Sequence, residues 1–430
     1  MNITFCINTS KNERYHIELL LKSIQTNFSR IDHPIIIYVE NDNQNTVSFL
    51  KTQKNIFPNL KVFINPLPIP IGYARNINWM FETATTDIVS YLQSDMVVCK
   101  NYDVEVLKHI NENTILSSTR IEPPLHPASS EKITHDFGLN PNTFDLTLFS
   151  NFAEEKKQNK ITNFWFAPFT LYKKTWLDIG GHDTLFRRSR EDSDLLYRFS
   201  MKGIQTKQIW NAIVYHFTCT SSRGIEWWTE KAKQRTQLQQ TADQIELSKF
   251  LYKWPSFKHT STFDSNKEYK YNVSLNLYNP MDNDFSILQN YYRFYKIYVS
   301  NPNTRTFLKK EFEKLHDPAN NLLDISNEQW NFYKKYYRTL NVEDIFVDAP
   351  ILDEDVILTC DLNNQPFNNL SNNPYLNTIN DLIHSLTDND IGSYELEELK
   401  STIKINKISN KITENLMVKN PPLDFTMIEL

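Results

Sequence analysis

The sequence predicts an α/β fold, with a mainly parallel sheet flanked by helices over residues 1–255 and a smaller α+β domain over 256–430. Apolar runs without alternation, such as Ile35-Ile36-Ile37-Tyr38-Val39, have the pattern of strands buried on both faces. Amphipathic stretches of helical period separate these runs, which is the order of a parallel sheet covered on both sides. Near residues 255–267 the pattern breaks into polar residues, and a different region begins.

Residues 2–8 read as the first strand, and Thr9 or Ser10 is placed to cap a helix aligning Ile17, Leu20, Leu21, Ile24 and Phe28 on one face. Residues 35–39 form a second strand that runs into Glu40-Asn41-Asp42. A third, at 61–64, ends at Pro66-Leu67-Pro68-Ile69-Pro70. A helix over 74–84 and a strand over 88–92 follow, then a long irregular stretch from 118 to 163. Residues 165–171 and 209–217 read as strands on either side of a helix over 192–201. In the C-terminal region an aromatic-rich helix spans 285–299, and another starts at Ser326 with Gln329 in capping-box position. Strand patterns occupy 356–360 and 403–408, and the Asn-rich stretch 363–378 reads as a loop.

A net charge of -5 with scattered basic residues argues against a nucleic-acid partner and against an anionic-membrane surface. Cys6, Cys99, Cys219 and Cys360 form no CxxC pair, so neither a zinc site nor a disulfide framework is indicated. The first residues have a strand pattern rather than that of a signal peptide, and no apolar run approaches a membrane span. A cytoplasmic protein with no transmembrane segment is the expectation.

Only 7 glycines occur in 430 residues, and two of them adjoin in Gly180-Gly181-His182-Asp183. Glycine this scarce is expected where the backbone demands it. The acids Glu191, Asp192 and Asp194 follow, and a carboxylate there can take the proton from an attacking hydroxyl. In a parallel sheet, ligands bind beyond the carboxyl ends of the strands, the rim on which Asn41, Asp42 and Asp95 fall.

Four segments, in this order, resemble the nucleotide-sugar-dependent glycosyltransferases of the GT-A fold, most like family 2. They are Gly72-Tyr73-Ala74-Arg75-Asn76, Tyr91-Leu92-Gln93-Ser94-Asp95, Ile179-Gly180-Gly181-His182-Asp183 with Glu191-Asp192, and Tyr215-His216-Phe217. The resemblance covers about residues 1–230. It implies a Rossmann-like GT-A sheet and a sugar moved, with inversion, from a nucleoside-diphosphate donor to a hydroxyl acceptor. The donor is a UDP-sugar by family habit, and the acceptor is a glycan, a lipid-linked glycan or a protein. It also implies a divalent cation, Mn2+ or Mg2+, held by Asp95 and His216. Asp192 is then the base and Glu191 its neighbour, orienting the acceptor or raising the pKa of Asp192. Asn41, Asp42, Arg75, Gln93, Ser94 and Arg223 are the donor-binding candidates. Trp165, Phe166, Trp227 and Trp228 are candidates for a sugar-ring surface.

Gln93 departs from the family, standing where its motif has a first aspartate and supplying no charge. That leaves open a degenerate module that binds nucleotide or glycan without turnover. Each residue also has a plainer reading: Asp95 as a turn residue, His216 as a core histidine, and Glu191-Asp192 as helix-starting acids. A nucleotidyltransferase fits less well, because Asn8-Thr9-Ser10-Lys11-Asn12 contains no glycine.

Overall fold

The computed structural model describes residues 1–10, 13–40, 45–67, 70–187, 189–218, 245–250, 253–254, 273–278, 297–316, 331, 335–339, 342–344, 346–347, 356–361, 392–396, 401–405 and 417–430. The chain forms two units. One comprises Met1–Asp183, Arg198–Thr236 and Pro422–Leu430, and the other Thr184–Tyr197 and Gln237–Pro421. The units interleave along the chain, where composition suggests a single boundary after residue 255.

In the first unit, β1 (Ile3–Thr9), β2 (Ile35–Val39), β3 (Leu60–Ile64) and β4 (Ile88–Gln93) lie parallel in the order β3-β2-β1-β4. Helices α1 (Arg14–Asn27), α2 (Thr46–Gln53) and α3 (Tyr73–Thr83) make the crossovers. Every residue of β2 is buried, as a run of β-branched and aromatic side chains covered on both faces requires. On α1, Ile17, Leu20, Leu21 and Ile24 are all buried, the face set by their helical spacing.

Beyond β4 the order continues through β9 (Phe169–Tyr172), β6 (Thr114–Glu122), β10 (Gln205–His216) and β5 (Met96–Val98). β9 is antiparallel to both β4 and β6, β10 is parallel to β6, and β5 is antiparallel to β10. The sheet is therefore mostly parallel. β7 (Lys132–Thr134) and β8 (Ile161–Thr162) add to β6 and β10, and α4 (Tyr102–His109), α5 (Leu146–Lys156), α6 (Lys173–Leu177) and α7 (Glu191–Met201) complete the chain to residue 218. The chain end returns as β17 (Ile428–Glu429), an edge strand antiparallel to β3.

Several local expectations are corrected. Thr9 ends β1 instead of capping a helix, and α1 begins at Arg14. The stretch 118–163 is not irregular, since it holds the end of β6 together with β7, α5 and β8. The strand expected at 165–171 is confined to Phe169–Tyr172. Residues 297–299, expected to end a helix, form a strand, because three consecutive buried β-formers fit a sheet interior better than a half-exposed helix end. The rest of that helix, the Asn-rich stretch, and Asn41, Asp42, Arg223, Trp227 and Trp228 lie outside the described residues, as does the start of the helix expected from Ser326, of which residues 331 and 335–336 are described and are helical.

The second unit holds a six-stranded sheet of β11 (Val273–Tyr278), β12 (Ile297–Val299), β13 (Phe346–Val347), β14 (Val356–Asp361), β15 (Gly392–Leu396) and β16 (Ser401–Ile405). Its order is β13-β12-β11-β14-β16-β15, parallel through β14 and antiparallel beyond. Helix α8 (Pro302–His316) buries Leu308 and Phe312. Among the described residues no helix is long and apolar enough to cross a membrane. Cys6 and Cys99 are buried free thiols whose pKa burial raises, as expected of inert core cysteines.

Candidate active site

Strand pairing builds the rim of the first sheet. After β4 ends at Gln93, a turn through Ser94 and Asp95 leads into β5, and β5 pairs with the end of β10 so that His216 stands opposite Met96. The Phe217 N–H donates to the Asp95 carbonyl at 3.0 Å. The topology thus brings together two residues 121 positions apart in the sequence (216 − 95). Asp95 Oδ1 lies 3.7 Å from His216 Nε2.

Glu122, at the end of β6, fixes the other side of that ring: its Oε1 is 2.9 Å from His216 Nδ1. Arg120 reaches the same carboxylate at 3.1 Å and Lys132 at 2.9 Å. Burial raises the pKa of Glu122, but His216, Arg120 and Lys132 more than offset it and hold it well below the usual carboxylate range. An ionised Glu122 needs a donor, so Nδ1 carries the proton, and in the neutral ring the Nε2 lone pair faces Asp95. Two acceptors facing one another suit a cation between them, and a carboxylate behind the imidazole is the usual support of a metal-binding histidine.

The polar groups around this point also fit a bound ligand. Thr9 Oγ1, both ring nitrogens of His16 and Gln93 Oε1 are buried with no hydrogen-bond partner among the described residues. All belong to the carboxyl ends of β1 and β4 or to the first turn of α1. Burial lowers the pKa of His16, opposed by the charge of Asp95, so the ring stays neutral. The Ser94 hydroxyl is engaged, donating to Glu13 Oε2 at 2.7 Å, and the Ser10 N–H donates to the same oxygen at 2.6 Å. One carboxylate and one imidazole are fewer ligands than a resident ion needs. Among the described residues no three His, Cys, Asp or Glu side chains form a metal cluster, so diphosphate oxygens and water would complete the shell.

On the same rim, Gly72 caps α3 with φ 81° and ψ 159°, a conformation open only to glycine. Its N–H donates to Glu40 Oε1 at 2.8 Å, and the Tyr38 hydroxyl donates to Glu40 Oε2 at 2.5 Å. Arg75 is buried in the first turn of α3. Of the aromatic candidates, Trp165 is buried against Phe169. Phe166 is exposed, with the Arg120 guanidinium 3.7 Å from its ring centre. An open groove of about 1010 Å3 lies at the opposite rim, lined by residues such as Thr86, Asn113 and Lys202, and it contains none of the candidate residues.

The double-glycine turn is held from two sides. The Asn78 amide donates to the His182 carbonyl and accepts from its N–H, both at 2.8 Å. Arg198, fully buried, donates to the carbonyls of Ile179 at 2.9 Å and Gly181 at 2.6 Å. Gly181 has φ 67°, and a Cβ there would collide with Asn78 and Trp176. Gly181→Ala should cost about 3 kcal/mol in equilibrium urea unfolding, from the left-handed backbone plus the clash. Gly203→Ala has a similar φ of 73° but open space around it, and should cost only about 1 kcal/mol.

Glu191 and Asp192 open α7 and belong to the second unit. Glu191 is half-buried as a residue, with Oε2 itself closed off from solvent. Burial raises its pKa well above the carboxylate range, and the charge of Asp192 adds to the shift. The raised carboxyl is that of Glu191, and Asp192 is one of its causes. Asp192 is partly exposed, and its Oδ1 accepts from the Ser193 N–H at 2.7 Å. Asp194 is a structural anchor, buried and bonded to Trp254 Nε1 at 2.8 Å and Lys253 at 2.5 Å. A raised folded-state pKa means that the stability from protonated Glu191 is present at low pH and lost as pH rises through the folded value. Glu191→Gln should therefore melt alongside the wild type at pH 5 and on the order of 3 °C higher at pH 8.

The sequence reading missed Glu13, His16, Arg120, Glu122 and Lys132. The Ser10-Lys11-Asn12-Glu13 spacing is that of a capping box, whose return bond from Ser10 N–H to Glu13 forms here. Glu122 gave no such signal.

No family model matches the chain, and no curated protein matches it. Among solved structures, similarity is found to GalNAc-T7 with UDP, GalNAc and Mn2+ (TM-score 0.41, 12% identity, 57% of this chain and 51% of that one). It is also found to S. aureus TarS (0.37, 15%, 60% and 44%) and to the Pyrobaculum calidifontis mannosyltransferase PcManGT in complex with GDP-Man and Mn2+ (0.38, 14%, 58% and 64%). The chain thus spans about half the length of the first two.

Proposed function

We propose that this chain is a cation-dependent glycosyltransferase that moves a sugar from a nucleoside-diphosphate donor, UDP-linked by preference, to a hydroxyl acceptor with inversion. The observation that carries the reading is Asp95 Oδ1 facing His216 Nε2 at 3.7 Å, with Glu122 holding the far ring nitrogen at 2.9 Å. Asp95 and His216 hold the divalent cation, which when bound neutralises charge on the diphosphate as it leaves. The open polar atoms of Thr9 and Gln93 bind neutral hydroxyls of the donor, and Asn41, Asp42, Arg75 and Arg223 complete its recognition. Ser94, through Glu13, fixes the turn that carries Asp95.

Asp192 accepts the acceptor hydroxyl's proton as that oxygen attacks the anomeric carbon. The bond from that carbon to the diphosphate oxygen breaks, and its electron pair leaves with the diphosphate. Glu191, protonated at neutral pH, is a hydrogen-bond donor and orients the acceptor. The exposed ring of Phe166 offers a stacking face to a sugar. Incubation with a panel of UDP- and GDP-sugars, with Mn2+ or with EDTA, tests the reading. Slow hydrolysis of one donor that requires Mn2+ supports it. No hydrolysis of any donor, despite nucleotide binding, would reassign the chain as a binding module.

A further inference from the structure

We infer that His16 donates a hydrogen bond to a diphosphate oxygen of the donor, beside the cation that Asp95 and His216 hold. The assignment rests on the reading of those two residues as cation ligands, and it adds a recognition residue from α1. Strand alternation puts Phe5 and Thr9 on one face of β1. Phe5 packs on Phe28, the residue that ends α1, with ring centres 4.7 Å apart, so that face is the one α1 covers. His16 lies in the first turn of α1, whose N-cap Glu13 is tied to the Asp95 turn by the Ser94 hydroxyl at 2.7 Å. The ring meets Phe217 edge to face, with centres 5.0 Å apart, and the Phe217 N–H donates to the Asp95 carbonyl. The charge of Asp95 acts on the ring. His16 therefore stands beside that aspartate, on the α1 side of the strand ends.

A histidine serving only the core of this unit has different surroundings. His33 is equally buried, yet its Nδ1 accepts from the Ile3 N–H and its Nε2 faces Asp103 Oδ2, both at 3.3 Å. His16 is 1% exposed, and neither of its nitrogens has a partner among the described residues. A buried polar group left unpaired destabilises the fold, and one kept at the rim of a ligand site is explained by the ligand. The neutral ring offers one N–H and one lone pair. A hydrated diphosphate matches both, with an anionic oxygen to accept and a water proton to donate.

Calorimetry of the full chain with UDP, uridine and inorganic pyrophosphate, each in Mn2+ and in EDTA, tests the contact. In Mn2+, His16→Leu should weaken UDP and pyrophosphate about tenfold, the loss of one hydrogen bond to a charged group, and leave uridine within about twofold. His16→Gln keeps an N–H donor and should recover most of the affinity. Without ligand, His16→Leu should melt no lower than the wild type, because an apolar side chain of similar size leaves no polar atom unpaired. In the wild type labelled with 15N-histidine, free of any folding defect in a variant, Mg2+ with pyrophosphate should shift the His16 ring nitrogens. Unchanged UDP and pyrophosphate affinity in His16→Leu, with no such shift in the wild type, would make His16 a core residue. Equal losses for uridine and UDP would overturn the diphosphate contact in favour of the nucleoside. Wild-type UDP affinity that is the same in Mn2+ and in EDTA would instead strike the cation reading itself, whatever His16 does.

Discussion

Asp192→Asn is expected to lower the rate of sugar transfer by about 10^3-fold or more, the loss that follows removal of a positioned base. UDP affinity should stay within about threefold of wild type, because the amide keeps the shape of the carboxylate and Asp192 is given no part in holding the diphosphate. The Ser193 N–H that donates to Asp192 Oδ1 can still find an amide oxygen, so α7 should keep its start. Rates measured at saturating donor and acceptor, beside calorimetric UDP binding, separate the two effects. Retained turnover would remove Asp192 from its role, and a matching fall in UDP affinity would turn it into a binding residue.

Asp95→Asn should have the opposite signature. The amide removes the negative charge facing His216 Nε2, and UDP affinity in Mn2+ should fall by about 100-fold, or roughly 2.7 kcal/mol. In EDTA the variant and the wild type should bind UDP equally weakly, since the lost interaction runs through the cation. Calorimetric titrations under the two conditions read the difference directly. Equal affinity of both proteins in Mn2+ would leave Asp95 a turn residue.

The parts of this chain that were legible from sequence are those where hydropathy and burial coincide. β2 is apolar at every position and buried at every position, and the helical spacing of Ile17, Leu20, Leu21 and Ile24 marks the buried face of α1. β6 escaped because its interior is polar. Ser117, Ser118 and Thr119 are buried yet bonded, Ser118 to the Tyr102 hydroxyl at 2.8 Å, Ser117 to the Phe166 N–H at 2.9 Å, and Thr119 to the Ile209 carbonyl at 3.0 Å. Those partners are distant in sequence, so a polar run that reads as loop is a satisfied central strand. Glu122 ends that strand and was lost with it, although it orients the histidine on which the site depends. α5 escaped despite a readable signal, since the Asp145 side chain caps it by accepting from the Leu148 N–H at 2.9 Å.

The acids around the double glycine show a second limit. Their spacing suggested one functional cluster, but Asp194 is bound to Trp254 and Lys253, and Glu191 is the carboxyl that burial keeps protonated. Adjacent acids of one helical turn therefore differ in surroundings and in task, which sequence order alone does not reveal.

The central claim is that His216 gives Nε2 to a cation held with Asp95 over the donor diphosphate. Pulsed electron paramagnetic resonance of Mn2+ bound to the full chain with UDP tests it most directly. A 14N modulation from a coordinated imidazole is expected, absent from His216→Ala while bound UDP still shows its 31P coupling. A Mn2+–UDP complex with no nitrogen modulation, or one whose modulation persists in His216→Ala, would contradict it.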